Sequence, residues 1–111
     1  MNQEEKLLKI INHYGVNNQQ RKLQEEVFEL NEAIIRKEYL PNEKDVDEEL
    51  FGVNMEIEKA KEDITEEIAD VMVMLEQFRL YYDISVGNIK EVMKYKINRQ
   101  IERIENENNN I

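Results

Sequence analysis

The chain has 111 residues, 25 of them acidic and 15 basic, with one histidine, no cysteine and a formal net charge of −10. Such an acidic balance excludes a binder of nucleic-acid polymers, which needs basic patches and counterion release, and the lack of cysteine excludes disulfide and thiolate chemistry. A chain this short predicts a single domain, 1–111, whose burial as a monomer is modest, so a homo-oligomer is the expected state.

Three Gly, one Pro and five Met among many Leu, Ile, Glu and Lys predict an all-α chain of four-helix-bundle type, because strand and turn punctuation is nearly absent. In "LLKIINHYG", Leu7, Ile10, Ile11 and Tyr14 recur at helical spacing and Gly15 is a stop. A second helix is expected from about Asn18 to Glu38, with Leu23, Val27, Leu30 and Ile34 as its apolar stripe, until Pro41 breaks it. Residues 42–62 lack a sustained period and are expected to be a connector with some helical turns. Asp63 with Glu66 resembles a capping box, so a third helix is expected to start there, burying Ile64, Ile68, Val71, Leu75 and Phe78. Ser85 is an N-cap for a fourth helix carrying Val86, Ile89, Met93, Ile97 and Ile104, and the tail 106–111 is expected to fray.

The N-terminus "MNQEEKLLKI" lacks the basic flank and long apolar region of a signal peptide, and no later run reaches transmembrane length. A cytoplasmic protein without a membrane partner is therefore expected. Other chemistries fail on residue type. His13 belongs to no ExxH pair of a di-iron bundle and reads as a partly exposed helix residue. The stretch from Asp45 to Glu56 begins like a calcium loop but has Leu50 where the turn needs glycine. There is no Walker lysine in a glycine loop and no GxSxG. Tyr81 and Tyr82 read as packing.

The acidic residues are not spread evenly. "KLQEEVFEL" and "DITEEIADV" both set carboxylates beside an apolar stripe. At about 100° per residue, Glu26 lies about 60° and Glu29 about 120° to one side of Leu23. Glu67 and Asp70 take the same two offsets from Ile64, whereas Glu25 and Glu32 lie nearly opposite the stripe. Antiparallel packing of the two helices then gathers Glu26, Glu29, Glu67 and Asp70 into one partly buried cluster. Carboxylates that close repel and resist desolvation unless a cation sits among them. Without a matching histidine, the set suits Mg²⁺ or Mn²⁺ better than zinc.

At these residues the chain resembles the MazG-like all-α nucleoside triphosphate pyrophosphohydrolases. That family carries an EExxE motif on one helix, here Glu25, Glu26 and Glu29, and an ExxD motif on a later one, here Glu67 and Asp70. "YGVNNQQRKLQEEVFEL" is similar to the family's opening segment, and "KYKINRQIERI" resembles its closing helix with a Lys-x-x-x-Asn pattern. The resemblance covers residues 14–38 and 64–104 and leaves 42–62 unmatched.

It implies Mg²⁺-dependent hydrolysis of a nucleoside triphosphate to the monophosphate and pyrophosphate. Glu26, Glu29, Glu67 and Asp70 would be the metal ligands and either Glu29 or Glu67 the general base. Lys94 and Asn98 would face the phosphates or sugar, and Gln19 the base. It also implies assembly as a homodimer or homotetramer with helices packed across subunits. The rival from another class is an acidic helical-bundle interaction protein or an inactive nucleotide-binding relative. Lys94 with Asn98 separates the two, since a pure interaction bundle has no need of that pair.

Overall fold

The computed structural model describes residues 1–40 and 51–109. Four helices and no strand occur among these residues: α1 (Gln3–Tyr14), α2 (Val16–Glu38), α3 (Phe51–Tyr81) and α4 (Val86–Asn109). The all-α, four-helix expectation is met. Among the described residues no helix is long and apolar enough to cross a membrane.

Local chemistry explains the helix ends. The Asn2 side chain accepts a 2.8 Å hydrogen bond from the Glu5 N–H, and Glu4 and Glu5 place negative charge on the first turn of α1, where the helix dipole favours it. Gly15 closes α1 at φ 90°, donating its N–H to the Ile11 carbonyl. That backbone conformation strains any side chain, and it lets α2 begin at once. The second helix therefore starts at Val16, two residues before the predicted Asn18.

The third helix departs further from expectation. It begins at Phe51, twelve residues before the predicted cap at Asp63, which lies half-buried in the helix interior. The capping-box pattern is ambiguous because an acidic helix interior has the same spelling. Ile57, fully buried, anchors the additional turns. Residues 42–50 of the expected connector lie outside the described residues. The last helix runs to Asn109 rather than fraying from 106.

α2 and α3 pack antiparallel. Gln19 bonds to Gln77, Glu26 sits beside Asp70, and Ala33 and Arg36 share a groove with Ala60 and Asp63, so positions advance on one helix as they recede on the other. α1 lies across both, burying Leu7 and Ile11. The buried face of α2 is only partly the predicted apolar stripe, of which Leu23 and Leu30 are half-buried. Gln19, Glu26 and Ala33, spaced by sevens, are buried, whereas Val27 and Ile34 are exposed. The same rotation leaves Ile68 and Leu75 of α3 exposed while Met74 and Gln77 are buried.

The α3–α4 turn is a Schellman motif. The Ile84 N–H donates to the Arg79 carbonyl and the Asp83 N–H to that of Leu80, with Asp83 in the left-handed region at φ 54°. The Arg79 guanidinium pairs with Glu76 at 2.9 Å and donates to the Ile84 carbonyl at 2.9 Å, bracing the turn. Ser85 then caps α4 by accepting from the Asn88 N–H at 3.0 Å. Beyond the turn, α4 shares no extended contact with α1, α2 or α3, and its predicted core residues Val86, Ile89, Met93, Ile97 and Ile104 are all exposed. The radius of gyration is 19.0 Å, against about 13 Å for a compact chain of this length.

Ile57→Ala tests the extended start of α3. Deletion of a side chain with no solvent exposure is expected to lower the unfolding free energy by about 2–5 kcal/mol in chemical denaturation. A loss under about 0.5 kcal/mol, as for a surface position, would show that this segment does not pack.

Candidate metal centre and adjoining cavity

Glu26 on α2 and Glu67 and Asp70 on α3 each offer an oxygen such that all three lie within 4.8 Å of one another. Spacing explains the convergence. Glu67 and Asp70 are three residues apart and so share a helix face, and the antiparallel approach of α2 brings Glu26 against that face. Glu26 is buried, Glu67 half-buried and Asp70 exposed at the mouth.

The oxygens of the cluster are unequally served. Glu26 Oε1 pairs with Lys22 Nζ at 3.0 Å, one turn back on the same helix. Glu26 Oε2 and Glu67 Oε2 are buried and have no hydrogen-bond partner. A buried carboxylate oxygen without a donor is costly, and two beside a third carboxylate define a position suited to a cation. Oxygens on opposite sides of a cation held at about 2.1 Å stand about 4.2 Å apart, so the triad is within a side-chain rotation of ligating geometry.

Electrostatics agree. Desolvation, and then the charges of Glu29, Asp70, Glu26 and Glu66, push the Glu67 carboxyl above its ordinary pKa. Lys22 is pushed up too, by its hydrogen bond with Glu26 and then by the Glu26 charge, with smaller contributions from Glu25 and Glu29 and against the opposing effect of desolvation. Among the described residues one ammonium pairs with the cluster, at Glu26, and Glu67 Oε2 has no partner.

Glu29 stands apart from the triad. It is exposed and lines a shallow groove with Glu25 and Glu32, yet its charge bears on Glu67. Glu25 faces outward as its helical offset predicts, its side chain 66% exposed and 3.9 Å from Lys22. The offset calculation set Glu26 to the side of the buried stripe, whereas the structure puts it among the buried residues of α2.

A cavity of about 610 Å³ adjoins the triad, with Glu26 and Asp70 at one end and Gln19 and Gln77 among its lining residues. Ile10 and Tyr14 of α1 and Val73 and Met74 of α3 supply apolar walls. Gln19 is 7% exposed, and its Nε2 donates to Gln77 Oε1 at 2.8 Å. Thus Gln19 lines the same cavity as Glu26 and Asp70.

Lys94 and Asn98 do not. They lie one turn apart on α4, beside Lys90, Met93 and Ile97 in a shallow groove, and no α4 residue lines the cavity. His13 is exposed and meets Tyr14 edge-to-face at 4.8 Å. Tyr81 and Tyr82, both exposed, do likewise at 5.1 Å. Sequence reasoning missed Lys22, Met74 and Gln77. Lys22 is legible as the i−4 partner of Glu26, and Met74 and Gln77 follow Asp70 at i+4 and i+7, on its own helix face. No family model matches the chain, and no curated protein or solved structure matches it.

The raised pKa of Glu67 fixes the sign of a pH effect. Between the ordinary carboxylate range and the raised value, the folded protein holds a proton that the unfolded chain has released, so stability without metal falls as pH rises through that window. Glu67→Gln is expected to raise the melting temperature in EDTA at neutral pH and to flatten this slope. A variant that melts at or below wild type across the window would mean that the carboxylate is already neutralised by its surroundings.

Proposed function

We propose that the protein is a Mg²⁺-dependent nucleoside triphosphate pyrophosphohydrolase, with Mn²⁺ able to substitute. The observation that carries this reading is the pair of orphaned, buried oxygens on Glu26 and Glu67 beside Asp70, at one end of a cavity large enough for a small ligand. The EExxE and ExxD motifs resemble those of the MazG-like group and supply the reaction type.

In this reading Glu26, Glu67 and Asp70 hold the cation by carboxylate oxygens. A magnesium ion held there would supply positive charge to the triphosphate and lower the pKa of a water beside it. Glu29, exposed and outside the triad, is free to take that water's proton as general base. Oxygen from water bonds to the α-phosphorus, the α–β anhydride bond breaks, and pyrophosphate leaves with the bond's electron pair. Lys22 holds Glu26 in place through its 3.0 Å ion pair and adds positive charge at the cavity wall.

The same proposal includes assembly as a homodimer or homotetramer. The chain exposes 9248 Å², against about 6,500 Å² for a compact monomer of its mass. The excess is on the scale of an obligate interface, and the α4 stripe of Ile89, Met93, Ile97 and Ile104 is part of it. α4 also carries five of the basic residues, Lys90, Lys94, Lys96, Arg99 and Arg103, against four glutamates, on a chain whose net charge is −10. Packed on the acidic α2–α3 face of a second copy, α4 brings Lys94 and Asn98 towards that copy's carboxylates, where they meet the phosphates.

Two experiments test these proposals. Incubation with a panel of canonical and modified NTPs and dNTPs, in Mg²⁺ or EDTA, is expected to yield monophosphate and pyrophosphate only with the metal, and at least about 100-fold less in Glu67→Gln and Asp70→Asn. Diphosphate with phosphate would mean a different attack site; no turnover with folded protein would favour the acidic interaction bundle. For assembly, light scattering after size exclusion is expected to show an oligomer that Ile97→Asp converts to monomer. A monomeric wild type would refute the packing of α4 across copies.

A further inference from the structure

Gln77 is 1% exposed, an unusually deep position for an amide that no helix end or turn requires. Both of its polar atoms are engaged. Its Oε1 accepts from Gln19 Nε2 at 2.8 Å, and its Nε2 points to the thioether sulfur of Met74 at 3.7 Å. The second contact decides which way round the pair lies. If both amides were inverted, Gln77 would still bond to Gln19, but its carbonyl oxygen would face the Met74 sulfur, acceptor against acceptor. Met74 thus holds Gln77, and Gln77 holds Gln19.

One atom of the relay is left over. Among the described residues Gln19 Oε1 has no hydrogen-bond partner, and it is not one of the partnerless oxygens closed to solvent, which are those of Glu26 and Glu67. Gln19 lines the cavity, so its free carbonyl oxygen is an acceptor presented to whatever the cavity holds. Gln19 precedes Glu26 by seven residues, and Gln77 follows Asp70 by seven. At 1.5 Å per residue the amides stand about 10 Å from the carboxylates, comparable with the reach of a nucleoside from its 5′-phosphorus to the outer edge of its base. Between these ends the cavity has apolar sides, Ile10 and Tyr14 from one helix and Val73 and Met74 from another, fit to flank a planar ring.

We propose that Gln77 is a specificity-determining residue, which orients Gln19 so that the cavity selects a nucleobase with an exocyclic amino group over its oxo counterpart. The inference rests on the proposed pyrophosphohydrolase reading for the identity of the ligand. An amino group donates to Gln19 Oε1, whereas an oxo group in the same place sets two acceptors against each other. A mismatch of that kind costs a factor of about ten or more.

The test compares CTP with UTP and ATP with ITP, by kcat/KM in Mg²⁺, and CMP with UMP and AMP with IMP, by calorimetric binding in EDTA. Wild type is expected to favour the amino member of any pair it accepts by about tenfold or more. Gln77→Met keeps volume and removes both hydrogen bonds, so Gln19 turns freely and the preference is expected to fall within about twofold. Met74→Leu, which removes the sulfur alone, is expected to weaken it in the same direction. Loss of packing alone would reduce both members of a pair equally and leave their ratio unmoved. Turnover with no amino preference, or with an oxo preference, would overturn the inference while the reaction stands. An unchanged ratio in Gln77→Met would remove Gln77 from the role. Selective binding of CMP or AMP without hydrolysis of any triphosphate would uphold the inference and sink the reaction, and no nucleotide binding at all would sink both.

Discussion

Like charges gathered in a half-dry groove are the constraint to which the rest of this structure answers. Glu26, Glu67 and Asp70 converge within 4.8 Å between two antiparallel helices, and among the described residues Lys22 alone forms an ion pair with them. The buried face of α2 therefore consists of Gln19, Glu26 and Ala33 rather than a continuous apolar stripe. A face used this way cannot bury its neighbours. Val27 and Ile34 on α2 and Ile68 and Leu75 on α3 are displaced to the outside, because a helix has only one side to turn towards its partner.

That displacement accounts for the open shape of the single chain. Among the described residues the inner core is small: Leu7, Ile11, Ala33, Ile57 and Met74 are its buried hydrophobic members, and α4 adds none of its described residues to it. The turn that sends α4 outward is nonetheless well made, with a left-handed Asp83, two Schellman hydrogen bonds and the Arg79 guanidinium across them. Its order is local and does not need α4 to pack. Apolar surface left in water on this scale marks an interaction face, which is why the proposed assembly and the proposed site belong to one argument.

The cavity divides its chemistry by end. At the carboxylate end, partnerless oxygens suit a cation and the charged part of a ligand. About two helical turns away, the Gln19–Gln77 pair is neutral and buried, and the Gln19 oxygen that faces the cavity is directional. Charge at one end and a single oriented acceptor at the other are what binding and discrimination separately require. α1 contributes no charge to this arrangement, but Ile10 and Tyr14 form its apolar side, which gives the first helix a place in the site beyond its two buried anchors.

Much of this was legible in the chain itself. Composition and 3.6-residue periodicity determined the all-α class, and Gly15 and Ser85 marked two helix boundaries because capping is a local interaction. The spacing of Glu67 and Asp70, and their match to Glu26, announced the carboxylate cluster, since residues three apart share a helix face in any helix. Where α3 starts was not legible, because an acidic cap and an acidic helix interior share a spelling and only the burial of Ile57 separates them. Nor was the true inward face of α2 and α3, because a helical wheel centres on apolar residues and assumes that one chain buries them all. Tertiary structure alone decided that Glu26 is buried while Glu29 remains on the rim, that Gln19 meets Gln77 across 58 residues of sequence, and that Lys94 and Asn98 stand away from the carboxylates of their own chain. Those outcomes depend on how helices approach one another, and that is set by the sum of contacts across the interface, which no local pattern contains.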